Sequence, residues 1–224
     1  NFGNVFVTGY FYNTADFGSY TLASKGSKDL YVARVDGSTG KWLWASGGGG
    51  TSSDHGNGVA LDSSGNVFVT GTMDSSSGTF GSSSLTSLGG KDIMVAKLDK
   101  TGKWLWAKNA GSADNDQSNA IDVDSAGNAY ITGAFDEQAA FGTLSLTGQK
   151  KSNTVFAAKI GGTGKWLWVR APKSSTSSAY GYSIAASASG TATVIGSFYE
   201  SATMGSTALS SEGEEDMFVW LVLP

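Results

Sequence analysis

Cysteine is absent from these 224 residues, and with it any disulfide framework, thiolate nucleophile or Cys-based zinc site. Histidine occurs once, at His55, so no second imidazole is at hand for a relay or a metal. Proline occurs twice and glycine 32 times, a balance that favours turns over long helices. Each Gly inside a helix costs about 1 kcal/mol relative to Ala. Only 15% of residues are charged and the net charge is −4, which excludes the basic stripe of a nucleic-acid groove. No apolar run approaches the roughly 20 residues that cross a bilayer as a helix. The chain opens at Asn1 without a basic region followed by an apolar one, so any targeting segment is expected to lie outside it.

What the chain has is repetition. GNVFVTG at Gly3–Gly9 returns at Gly65–Gly71, then as GNAYITG at Gly127–Gly133 and GTATVIG at Gly190–Gly196, with steps of 62, 62 and 63 residues. GKWLW occurs at Gly40–Trp44, Gly102–Trp106 and Gly164–Trp168, and holds six of the seven tryptophans. A third register agrees: DLYVARV (Asp29–Val35), DIMVAKL (Asp92–Leu98), TVFAAKI (Thr154–Ile160) and DMFVWLV (Asp216–Val222). The chain therefore reads as a single domain of four units, about 3–64, 65–126, 127–189 and 190–224.

Each full unit holds four short strand-like segments. In the second they are NGVALD (Asn57–Asp62), NVFVTG (Asn66–Gly71), DIMVAKLD (Asp92–Asp99) and KWLWAK (Lys103–Lys108). DSSGN (Asp62–Asn66), DSAGN (Asp124–Asn128) and DKTG (Asp99–Gly102) read as tight hairpins, Asp accepting backbone N–H groups and Gly supplying positive φ. Apolar residues on both parities of NVFVT fit a strand covered on both faces. The expected architecture is all-β: a β-propeller of four-stranded antiparallel blades with almost no helix. The excess over a shorter blade sits between the second and third strands. There ADFGSYTL, GTFGSSSL, AAFGTLSL and ATMGSTAL predict an ordered flap pinned by an aromatic or Met and by Leu22, Leu85, Leu146 and Leu209.

DIMVAKLDKTG followed by a Trp strand and then by AIDVDSAGNAYITG resembles the bacterial β-propeller repeat family known as SBBP. The resemblance covers nearly the whole chain. It implies a propeller in secreted or cell-surface proteins, mostly without assigned activity, and brings no catalytic residues. The third unit departs from it, with Ser187 at the turn Asp and Ala179 at the loop Asp.

Two readings compete for Lys-Trp-Leu-Trp. Simple strand alternation sends Trp42 and Trp44 to one face and Leu43 to the other. A wedge against the neighbouring blade suits the wide outer rim, since a Trp buries on the order of 200 Å². A carbohydrate platform built from Trp42, Trp44, Trp104, Trp106, Trp166 and Trp168 is the alternative. Packing is the favoured reading because large aromatics are mostly core.

No P-loop, HExxH or G-x-S-x-G is present, and the chain does not read as an enzyme. His55 beside Asp54 lacks a repeated nucleophile, and its counterpart one unit on is Gln117. Asp54 and Asp116 read as caps of the turn entering the inner strand. DNDQSN (Asp114–Asn119) and DVDSAGN (Asp122–Asn128) have the oxygen-rich composition of calcium loops without the EF-hand pattern. No cofactor is expected, and Ca²⁺ is the one ion the composition leaves open. The long connections, GGGGTSSDHGN, KNAGSADNDQSN and APKSSTSSAYGY, differ between units and share one end of every blade. Ligand contacts are therefore expected at Asp54, His55, Asp114, Asp116 and Tyr180.

The chain starts at a second strand (Asn4–Gly9) and stops after a third (Asp216–Val222). The first unit is thus expected to lack its inner strand and the last its outer one. Open strand edges are pairing templates. Partners are expected to be neighbouring copies or other proteins at those edges, with glycans as the alternative; no nucleic acid and no membrane span is expected.

Overall fold

A computed structural model describes residues 3–175 and 177–223. Among them there is no helix, and so none long and apolar enough to cross a membrane. The chain folds as four main antiparallel sheets laid in sequence order, with the flap hairpin of the second unit hydrogen-bonded to the first sheet and that of the third forming a two-stranded sheet of its own. The first is β1 (Val5–Phe17), β2 (Tyr20–Val35) and β3 (Trp42–Gly50). The second runs β4 (Asp54–Leu61) and β5 (Val67–Met73), then a flap hairpin of β6 (Ser77–Phe80) and β7 (Ser83–Thr86), then β8 (Asp92–Leu98) and β9 (Trp104–Ala110). The third repeats this plan with β10 (Gln117–Val123), β11 (Ala129–Asp136), flap strands β12 (Gln138–Phe141) and β13 (Leu144–Thr147), β14 (Asn153–Ile160) and β15 (Trp166–Arg170). The fourth has β16 (Ser174–Ser175), β17 (Ala179–Ala186), β18 (Ala192–Met204) and β19 (Thr207–Val222). Within the described residues the row runs from β1 to β19.

Asp explains the tight hairpins. The Asp62 carboxylate accepts from Ser64 N at 3.0 Å and Asn66 N at 2.9 Å, and Asp124 accepts from Ala126 N and Asn128 N at 3.0 and 2.9 Å. At the third turn Ser187 does the work alone, accepting from Thr191 N at 3.1 Å.

The core lies between the sheets. Leu30, Val32 and Trp44 of the first meet Val67, Val69, Met94, Ala96 and Leu98 of the second, forming one buried cluster. Phe68, Ile93 and Val95 meet Ile131, Phe156 and Ile160 at the second junction, and Tyr130 and Val155 meet Val194, Phe218 and Trp220 at the third. Near the inner edge a bulge frees Asn57 and Asn119, whose amides donate to Ser118 O at 2.9 Å and Gly181 O at 2.8 Å of the following inner strand. Among the described residues no strand pairing joins the fourth sheet to the first.

The flaps are ordered, with Phe80 and Phe141 fully buried beside Leu85 and Leu146. Each also latches onto the sheet before it. Gly49 and Gly50 at the end of β3 pair with Thr79 and Gly78 of the next flap. One unit on, Gly111 N donates to Ala140 O at 3.0 Å and Ala140 N to Gly111 O at 2.8 Å.

Alternation alone misassigns the tryptophans. Opposite Leu98 and Lys97 stand Trp104 and Trp106, so Leu105 is the extra residue of a bulge. The same bulge recurs opposite Val35/Arg34 and Ile160/Lys159. The two indoles of each pair therefore lie on opposite faces of their sheet rather than on one. Leu43, Leu105 and Leu167 are left 37, 47 and 45% exposed at the rim.

Candidate functional site

The long connections gather at one end of the row, and their acids hold them shut. Asp54 has no solvent exposure. Its Oδ2 accepts from Gly50 N at 2.7 Å and Ser75 Oγ at 2.8 Å, and its Oδ1 from Asp74 N at 3.1 Å. Asp116 repeats the arrangement, accepting from Ser112 N at 2.6 Å, Ser112 Oγ at 3.0 Å and Asp136 N at 3.2 Å. Each carboxylate ties the loop entering the inner strand to the start of the flap region, which is the capping role the sequence suggested.

A second acid faces each of these. Asp29 Oδ2 accepts from Lys25 N at 3.0 Å and Asp92 Oδ2 from Leu88 N at 2.8 Å, while Oδ1 of each is buried without a partner. The two carboxylates converge on a glycine. A Cβ on Gly111 would stand 2.7 Å from Asp116 Oδ2 and 2.8 Å from Asp92 Oδ1, and Gly49 repeats those distances with Asp54 and Asp29. Burial raises the Asp116 pKa to about 6, against the pull of the Ser112 and Asp136 donors, and the neighbouring Asp92 adds to the rise. Burial also raises Asp29 and Asp92. At the third junction Thr154, Ala179 and Lys173 occupy these positions, so both acids and the glycine change together.

His55 stacks edge-on against Tyr10, ring centroids 4.8 Å apart. Burial, with Lys28 and Lys91 nearby, holds its pKa below the usual imidazole value. Asp54 is committed to backbone donors and makes no hydrogen bond to it, so the two are not an acid–base couple. Asp114 is exposed, its backbone N donating to Ser112 Oγ at 3.1 Å. Asp122 and Asp124 are likewise engaged, by Ala186 N at 2.7 Å and by the Asp124 turn and Lys159. Among the described residues no three His, Asp or Glu side chains converge as a metal centre would need.

The structure does bring Asp116 and Tyr180 to one cleft of about 220 Å³, lined also by Lys91, Asn115, Gln117 and Asn153. Tyr180 accepts from Asn153 Nδ2 at 2.9 Å, and its ring lies parallel to Tyr182 at 6.4 Å. Lys91 and Asn153 were not expected at the site. Their signal is positional: Lys28, Lys91, Asn153 and Glu215 hold the same place in successive units, one residue before Asp29, Asp92, Thr154 and Asp216. Asp54 and His55 sit one unit away from this cleft.

The tryptophans are occupied. Trp44 donates to Lys100 O of the next unit's hairpin at 3.1 Å, and Trp106 to Gly162 O at 3.0 Å. Trp104 reaches back to Gly47 O at 3.2 Å and packs on Phe80; Trp166 packs on Phe141 at 5.0 Å. Trp42 packs on Phe17 and Trp168 on Tyr130.

Fold and site together define a repeat scaffold: stacked antiparallel sheets, wedged by tryptophan and latched by flaps, with loops held at one end by buried acids. The SBBP beta-propeller repeat matches residues 47–76 and 105–134, so the chain carries that repeat at both places. Each match runs from the outer strand through the Asp54 or Asp116 loop into the second strand. No curated protein matches the chain.

Proposed function

We propose that the chain is a non-enzymatic structural or adhesion module of a secreted or cell-surface protein, its four sheets being blades of a propeller arc. One observation carries this reading. The side chains that chemistry would need are engaged by the scaffold: Asp54 and Asp116 bond the backbone, and the half-buried His55 lies edge-on against Tyr10. What remains variable is the loop end, and variable loops on a rigid support are where contacts with other molecules form. The extracellular location rests on the repeat resemblance, and cell fractionation tests it.

A second reading, carbohydrate binding, is favoured by the cleft at Tyr180, where an aromatic ring stands beside the Asn153, Asn115 and Gln117 amides. The six tryptophans give it less support, since their faces are packed against protein. Beads coated with the chain separate the two. The module reading expects clustering that free monosaccharides leave unchanged; clustering abolished by a sugar, and by Tyr180→Ala, supports the lectin reading instead.

A further inference from the structure

The first two junctions each bury a pair of acids against a glycine: Asp29 and Asp54 at Gly49, Asp92 and Asp116 at Gly111. Carboxylates taken out of water need a full set of donors or an offsetting charge. Neither pair has the full set, since Oδ1 of Asp29 and Oδ1 of Asp92 are buried with no hydrogen-bond partner. The two pairs differ in the charge that stands beside them.

At the first pair a cation is built in. Lys25 gives its backbone N to Asp29 Oδ2 at 3.0 Å, and its ammonium reaches Gly49 O at 3.4 Å and Thr79 Oγ1. Burial raises the Asp29 pKa, and the Lys25 charge works against the rise.

At the second pair Leu88 takes that place, its backbone N making the matching bond to Asp92 Oδ2 at 2.8 Å. The groups that oppose burial there are uncharged: Leu88 N, Ser87 and Asn109 at Asp92, and Ser112 with the Asp136 backbone N–H at Asp116. Lys91 lies in the cleft beside Asp116, but the ion pairs among the described residues are Lys97–Asp62 and Lys159–Asp124. Two buried carboxylates are thus left without a cationic side chain paired to them.

The geometry supplies a place for the missing charge. Where a Cβ would stand on Gly111 there is a gap, with Asp116 Oδ2 at 2.7 Å and Asp92 Oδ1 at 2.8 Å. Ser112 Oγ lies 3.0 Å from the same Asp116 oxygen. Asp116 also lines the cleft of about 220 Å³, which gives an ion a way in. An all-oxygen donor set suits a hard cation, and a third acid is not required. Ca²⁺ fills its 6–8 positions with hydroxyls, carbonyls and water as well, whereas Mg²⁺ holds to near-ideal octahedra. At the third junction acids and gap vanish together, replaced by Thr154, Ala179 and Lys173.

We propose that Asp92 and Asp116 hold a Ca²⁺ ion between them, which does at the second junction what Lys25 does at the first. Two carboxylates are few for a calcium site, which places its affinity in the weak class of about 0.1–1 mM.

The test is calorimetric titration of Ca²⁺ into the chelator-stripped 224-residue chain at about pH 7.5, above the carboxylate range, with melting curves alongside. One ion per chain is expected to bind with a Kd of about 0.1–1 mM. At about 10 mM it is expected to raise the melting temperature by about 3–10 °C. Asp92→Asn, which removes one ligand charge at constant size, is expected to weaken binding at least about tenfold. Leu88→Lys is expected to do the same by installing the lysine of the first unit. Leu88 is 48% exposed, so this variant keeps the test open if Asp92→Asn does not fold. Asp29→Asn is expected to leave the titration unchanged. No binding up to about 10 mM, binding that survives either Asp92→Asn or Leu88→Lys, binding lost in Asp29→Asn, or an equal response to Mg²⁺ would each overturn the proposal.

Discussion

Trp104 and Trp106 lie two residues apart on one strand and face opposite junctions. Trp104 packs edge-on against Phe80 at 5.5 Å in the first, Trp106 against Phe68 at 6.0 Å in the second. Leu105 makes this possible by bulging, so that two steps along β9 answer one step along β8. A single short motif thereby ties a sheet to both of its neighbours.

The bulge can be tested by removing its extra residue. Leu105→Ser should change stability by less than about 0.5 kcal/mol, since the side chain faces solvent. Deleting Leu105 should turn one tryptophan to the wrong face and cost about 3 kcal/mol or more, comparable to truncating a buried aromatic. Urea denaturation of both variants gives the comparison.

Gly111 sits at φ 147°, with two carboxylate oxygens where a Cβ would go. Gly111→Ala is therefore expected to lose about 2–3 kcal/mol from steric and backbone strain together. Gly65 at φ 80° has nothing closer than 3.7 Å, so Gly65→Ala should lose only about 1 kcal/mol. Equal losses at the two sites would remove the crowding argument.

Stability should respond to pH in two opposite ways. Folding raises Asp116 to about 6, so the native state holds that proton more tightly and its contribution falls as pH rises from the unfolded value, about 4, toward 6. Asp124 is the reverse: burial pulls its pKa up, but Asn128, Lys159 and Tyr130 together outweigh it and leave it at about 2. Its contribution is present above about pH 4 and is lost as pH falls toward 2. In melting curves against pH, Asp116→Asn should flatten the decline between 4 and 6, and Asp124→Asn the loss below 4. Unaltered slopes would count against both assignments.

Lys159 both pairs with Asp124 and lies 4.6 Å from the centre of the Tyr130 ring. A double-mutant cycle of Lys159→Met and Asp124→Ser should return a coupling of about 1 kcal/mol, the scale expected for groups in one network. Additive losses would mean that the two residues act separately.

Much of this was legible in the sequence. The 62-residue step of GKWLW and GNVFVTG marked an all-β chain of repeated antiparallel sheets, and Phe80 with Leu85 marked the flap. The facing of the tryptophans was not legible, because alternation is the default for a strand and nothing in Lys-Trp-Leu-Trp signals an inserted residue; the bulge exists only against the partner strand. Asp54 and Asp116 were readable as caps from their turn context. Asp29 and Asp92 were not, since an Asp heading a strand is ordinary until the fold brings it to a glycine from the next loop. Asp116 and Tyr180 of the cleft were named from the loop end of the units; Lys91 and Asn153 were not, because they come from separate connections.

The central claim is that the repeated tryptophans are wedges that hold a structural module together. Trp106→Ala tests it most directly, with denaturant stability and coated-bead clustering measured on the same preparation. The wedge account predicts a loss of about 3–5 kcal/mol, typical of an aromatic truncated in a core, with clustering unchanged wherever the variant is folded. Stability within about 0.5 kcal/mol of wild type together with abolished clustering would contradict it, because that is the behaviour of a surface ligand contact.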